Sequence, residues 1–147
     1  MFRRLGLITL VTFSSLLLLV QLVPYGHDHT NLAPTGEPQW DSPRTRELAA
    51  RACFDCHSGQ TVWPWYSNVA PVSWLVQHDT EEARGKLDFT DWARSQQKSR
   101  DAAEQVRTGE MPLPIYLPLH PLAKLTASEK EELATGFEKT FGAGRGR

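Results

Sequence analysis

Cys53-Phe54-Asp55-Cys56-His57 is the stretch that decides how this 147-residue chain is read. It contains both cysteines of the sequence, and a histidine directly follows the second. On a helical turn, positions 53, 56 and 57 stand at i, i+3 and i+4 and share one face. Two thiols on one face can form thioethers to the two vinyl groups along one edge of a haem, and the adjoining imidazole can reach the iron. Cys-x-x-Cys-His is accordingly the attachment pattern for c-type haem. Phe54 and Asp55 then face elsewhere and are free to vary. Three other readings of the same residues stay open. A thioredoxin-like redox pair needs a βαβ context, which the surrounding pattern lacks. A zinc site needs a fourth ligand, and neighbouring Cys56 and His57 are poorly placed to share one tetrahedron. A disulfide between Cys53 and Cys56 needs only an oxidising compartment.

The N-terminus bears on that compartment. Arg3 and Arg4 precede an uncharged run from Leu5 to Val23, 19 residues interrupted only by Thr9, Thr12, Ser14, Ser15 and Gln21 among its polar types. A helix of that length nearly spans a hydrocarbon core of about 30 Å. A cleaved signal has an apolar centre of about 7–15 residues and a small-residue cleavage site. This run is longer, and Val23-Pro24-Tyr25-Gly26 offers no good cleavage site, so residues 1–24 read as a single-pass anchor in preference to a signal. A buried core helix is a third reading, weakened by the length of the run and the arginines before it. The next Lys or Arg after Arg4 is Arg44. Basic residues favour the cytoplasmic side, which puts the rest of the chain outside the cytoplasm. Without residues 1–24, the remainder carries 14 basic and 17 acidic groups, a net of −3. Such a balance argues against a nucleic-acid partner.

Residues 25–42 read as a linker, with Pro34, Pro38, Gly26 and Gly36 and no apolar period; His27 and His29 are expected to be solvated there. Residues 43–141 read as the functional domain. Ser42-Pro43 is a helix start, with Leu48, Ala49 and Ala52 on one side of the helix that follows. Trp63-Pro64-Trp65-Tyr66 marks an irregular aromatic loop. Helices are expected over about 72–83 and 91–108, the second ending at Gly109. Residues 110–122 hold Pro112, Pro114, Pro118 and Pro121 and form an extended loop. Thr126-x-x-Glu129 is a capping box for a last helix carrying Leu133 and Phe137, and residues 142–147 form a tail. No strand pattern is sustained and no internal repeat occurs, so the chain reads as all-α: a transmembrane helix followed by a small, loop-rich helical domain. About 100 residues make a limited core of their own.

If one haem is bound, its iron has a second axial position. Met111 is the only methionine other than Met1. Pro112 pushes it away from helical geometry, and a stiff proline-rich loop can hold a thioether against the open haem face. His120 and His78 are rival ligands, and an open sixth position is a further alternative. Ordinary core packing is the competing reading of Met111. Trp63, Trp65, Tyr66, Trp74, Trp92 and Tyr116 are rings that could pack on a porphyrin or reach a propionate.

The stretches CFDCHSGQTVWPWYSNVAPVSWL and GEMPLPIYLPLHP, with LVPYGHDHTN after the apolar run, resemble the bacterial haem-binding domain family of small c-type-cytochrome-like proteins, over about residues 22–137. The resemblance implies a haem held by Cys53, Cys56 and His57, with Met111 supplying the distal ligand. Asn31-Leu32-Ala33-Pro34 departs from the Asn-Pro-Pro usual in such proteins. The expected function is that of a membrane-anchored electron carrier with one covalent haem c and a redox protein as partner. A haem-based redox or gas sensor with a labile sixth ligand is the alternative. A peroxidase-like enzyme needs a distal acid–base pair, and no such pair is identifiable. A haem-free thiol redox function is the remaining class.

Overall fold

The computed structural model describes residues 2–142; the expected tail lies, from residue 143 on, outside the described residues. Six α-helices run in order: α1 Phe2–Val20, α2 Pro43–Ala52, α3 Phe54–His57, α4 Val72–Lys86, α5 Ala102–Thr108 and α6 Ala127–Phe141. Among the described residues there is no strand, only an isolated parallel bridge between Gly36 and Asp91. The protein is all-α. Its residues form two compact units, one of residues 2–30 and 63–79 and another of residues 31–62 and 80–142. α4 gives its first half to the first unit and the remainder to the second.

In the first unit, α1 is long and apolar enough to cross a membrane, with a mean hydropathy of 1.7 and no buried residue. Two polar residues of the run bond to backbone groups. Thr9 donates to the Leu5 carbonyl at 3.0 Å. Gln21 pairs twice with Ala70, its Nε2 donating to the carbonyl and its Oε1 accepting the N–H, each at 2.9 Å. His29 departs from the solvated state expected of a linker histidine. Its ring stacks on Trp63 at 4.5 Å and 17°, and its Nε2 donates to the Ser67 carbonyl at 3.0 Å. His27 is exposed, as expected.

The second unit is built around α2, α5 and α6. Ser42 caps α2 by accepting from the Thr45 N–H at 3.1 Å, with Pro43 in the first turn. α2 then buries Thr45, Leu48, Ala49 and Ala52. The Thr126–Glu129 capping box starts α6, which buries Leu133, Ala134, Gly136 and Phe137. Gly136 lets α2 and α6 approach closely, because a methyl there would overlap the side chain of Thr45. α5 contributes Ala102, Ala103 and Val106 to the same core and ends on Gly109 at φ +78, the left-handed position expected of it. Around the core, Arg107 bonds Glu131 and Glu138 and holds both carboxyls below the usual range. Arg51 meets Glu129 at 2.5 Å. Ion pairs open to solvent in this way contribute little singly.

Two segments differ from the sequence expectation. The helix expected over 91–108 forms only at Ala102–Thr108, after a 3-10 turn at Ser99–Asp101. Gln96 holds the segment in another shape: its Oε1 accepts the Asp88 N–H at 2.8 Å, and its Nε2 donates to the Asp91 carbonyl at 2.7 Å, a group the longer helix would have used. Residues 31–42 are packed on this unit, where an extended linker is expected. The Trp40 ring lies 5.4 Å from Phe89, and its Nε1 donates to Glu37 at 2.8 Å. Arg46 clasps that carboxylate and lowers its pKa.

Candidate functional site

The cysteine–histidine stretch lies where α2 gives way to α3. Cys53 leaves helical geometry at φ −128 and ψ −30, and a new turn starts from it. Its carbonyl accepts from Cys56 N–H at 3.2 Å and from His57 N–H at 2.9 Å. Cys53, Cys56 and His57 are thereby brought onto one turn. Neither cysteine is in a disulfide, and both are half-buried. Burial pushes the Cys53 thiol up to about 12, and Cys56 adds to the shift. A thioredoxin-like nucleophile needs the opposite shift. Among the described residues no three His, Cys, Asp or Glu side chains converge as a metal site, so a zinc reading finds no ligand set.

His57 is fixed from two directions by one segment. Its Nδ1 lies 3.0 Å from the Leu87 carbonyl, and its own carbonyl accepts the Phe89 N–H at 2.8 Å. A carbonyl can only accept, so Nδ1 carries the hydrogen and Nε2 keeps its lone pair. Burial lowers the pKa of the imidazole, against the opposing effects of the Leu87 and Ala83 backbone hydrogen bonds. The side chain is therefore a neutral imidazole oriented by a backbone carbonyl, the form in which histidine binds iron and other metals.

That clamp is itself buried throughout, from Leu87 to Thr90. Asp88 closes it by accepting from Thr90 N–H at 2.8 Å, from Thr90 Oγ1 at 2.9 Å and from Asp91 N–H at 3.2 Å. Thr90 Oγ1 in turn accepts the Gly59 N–H at 2.6 Å. Arg84 reaches the other side of the turn, donating to the Ser58 carbonyl and to Thr61, each at 2.8 Å. Sequence reasoning misses this clamp. Its one signal is the Asp88-Phe89-Thr90 string, in which an Asp followed two residues later by Thr makes a local turn.

Phe54 and Asp55 are not free to vary. Phe54 is 4 % exposed and stacks on Phe89 at 5.5 Å and 21°. The cluster continues through Trp40, Phe137 and Phe141. These rings, together with Trp92 against Phe141, form the aromatic core beside His57, whose ring centroid lies 6.1 Å from that of Phe89. Asp55 points the other way. Its Oδ1 accepts the Val62 N–H at 3.0 Å and its Oδ2 accepts the Tyr116 hydroxyl at 2.5 Å.

Tyr116 belongs to the proline-rich loop that carries Met111. Met111 is half-buried in the same unit, and its N–H donates to the Gln105 carbonyl at 3.0 Å. His120 stacks on Tyr116 at 3.8 Å and 13°. His78 is exposed on α4, in the other unit. Val62 and Ile115, next to the two groups that bind Asp55, are largely exposed, as are Leu119 and Leu122. An apolar surface thus adjoins the turn that carries the two thiols and the imidazole.

A half-buried neutral imidazole oriented by a backbone carbonyl, two thiols on its own turn and apolar side chains exposed nearby make a donor set that fits a haem. The arrangement defines a small helical haem-binding protein. The chain belongs to the haem-binding domain family, which it matches over residues 15–139. No curated protein and no solved structure matches it.

Proposed function

We propose that this protein is a membrane-anchored electron carrier with one covalently attached haem. Cys53 and Cys56 would hold the haem by thioethers, and His57 Nε2 would bind the iron. Bound there, haem supplies one-electron exchange between ferric and ferrous iron. The observation that carries the reading is the orientation of His57: the Leu87 carbonyl accepts from Nδ1, which would make Nε2 the coordinating nitrogen, on the same turn as two thiols outside any disulfide. The hydrogen bond at Nδ1 raises the basicity of the ligand and sets its orientation. Phe89 and the aromatic core behind it keep water from that side.

Met111 would be the second iron ligand in this reading, with His120 as the rival held in the same loop. A Met–His pair would raise the reduction potential and keep the iron from outside ligands, as an electron carrier requires. The helix Phe2–Val20 tethers the haem domain to the periplasmic face of the inner membrane, which confines it near membrane oxidoreductases. Met111→Ala should leave the haem attached and open the iron to carbon monoxide in the ferrous state. Axial ligation unchanged by that substitution refutes Met111 as the ligand. Fast and complete carbon monoxide binding to the wild-type protein favours a sensor over a carrier.

A further inference from the structure

We propose that Asp55 and Tyr116 form a latch that positions Met111 against the haem. The inference rests on the reading of Met111 as an iron ligand and adds to it the device that holds the ligand loop in place.

Asp55 sits between the two cysteines that would carry the haem and belongs to the same turn as His57. Its Oδ2 takes the Tyr116 hydroxyl at 2.5 Å, across 61 residues of sequence. Its Oδ1 takes the Val62 N–H, so the carboxylate is held at both oxygens and cannot swing away. The loop is also tied at its other end, where the Met111 N–H bonds the Gln105 carbonyl and Pro112 is buried. Met111 therefore stands at one end of a six-residue strap, 111–116, tied at Met111 to the end of α5 and at Tyr116 to the haem-attachment turn. A further turn, Tyr116 N–H to the Leu113 carbonyl at 2.9 Å, shortens the strap. A hydrogen bond to a carboxylate is among the strong ones and favours the closed position by about tenfold or more.

Tyr116→Phe is the test, in the full chain, loaded with haem during export and purified in detergent. It removes one hydroxyl and keeps the ring on which His120 stacks. Wild type and Met111→Ala are measured beside it. Three readouts are taken: covalent haem after acid–acetone extraction, the ferric thioether–iron charge-transfer band, and the rate of carbon monoxide binding to ferrous protein. The latch predicts full covalent haem in Tyr116→Phe, a band less than half as strong as in wild type, and carbon monoxide binding about tenfold faster or more. In an Asp55→Ala background, Tyr116→Phe should add less than a twofold change, because both substitutions break one bond. A wild-type band that survives Tyr116→Phe, with carbon monoxide binding within twofold, overturns the latch and leaves Met111 ligation standing. Loss of covalent haem from Tyr116→Phe also overturns it, because a device acting on the distal loop leaves attachment alone. A wild type without the band and indistinguishable from Met111→Ala overturns the Met111 reading, and the latch with it.

Discussion

Phe54 is the sharpest point at which the folded chain departs from a motif-based view, and Phe54→Ala tests it. The position counts as a spacer in Cys-x-x-Cys-His, where any residue should serve. In the structure the ring is 4 % exposed, stacked on Phe89 at 5.5 Å and tilted against Trp40 at 6.3 Å, with the Arg46 guanidinium 5.6 Å above it. Burying a side chain of this size stabilises by about 1.5–3 kcal/mol. Truncation in a packed core adds the cavity term and brings the loss to about 3–5 kcal/mol. Domains of this size are stable by about 5–15 kcal/mol in all, so the loss is a large share of the total. Urea unfolding of the full chain in detergent, followed by tryptophan fluorescence, reads it directly. With a slope of about 1.5 kcal/mol per molar, the midpoint should fall by about 2–3 M at an unchanged slope. Phe54→Leu, which keeps most of the apolar volume, should cost less than about 1.5 kcal/mol. A loss below about 1 kcal/mol for Phe54→Ala would refute the placement of the ring in the core.

Three further outcomes follow from the helix contacts and caps. Gly136→Ala should destabilise by about 1–3 kcal/mol despite the better helix propensity of alanine, because the new methyl overlaps Thr45; Thr45→Ala should recover part of the loss in thermal melts. Thr126→Ala removes half of the α6 capping box and should cost about 1 kcal/mol by denaturant titration at constant slope. Glu129 is held down to about 2, against an ordinary 4.5, by the Thr126 N–H and by Arg51. Its depressed pKa makes its contribution complete above pH 4.5 and lost as pH falls from there towards 2. The stability gap between wild type and Glu129→Gln should therefore be constant near neutrality and close through that acid window; a gap that does not change with pH contradicts the charge assignment.

The parts of the fold legible in the sequence are those governed by local chemistry. Ser42-Pro43, Thr126-x-x-Glu129 and Gly109 mark helix ends because capping involves residues three or four apart. The shared face of Cys53, Cys56 and His57 follows from helical spacing alone. What escapes the sequence is long-range. Nothing in the chain announces that Leu87 and Phe89 will grip His57 across 30 residues, or that Asp55 will meet Tyr116 across 61. The aromatic core is likewise assembled from Trp40, Phe54, Phe89, Phe137 and Phe141, five rings from distant segments. The Trp63–Tyr66 stretch, which looks the richest in sequence, belongs to the other unit. The expected helix over 91–108 fails in its first half, where Asp88 takes the Asp91 N–H and Gln96 takes the Asp91 carbonyl, a competition that periodicity does not register.

The central claim is that Cys53 and Cys56 attach haem to the turn that carries His57. Intact mass of the full chain, expressed with the haem-attachment machinery and extracted with acid–acetone, tests it most directly. The account predicts an added mass of one haem that survives extraction in wild type and is absent from the Cys53→Ala, Cys56→Ala double variant. Haem released completely from the wild-type protein by the extraction would contradict it.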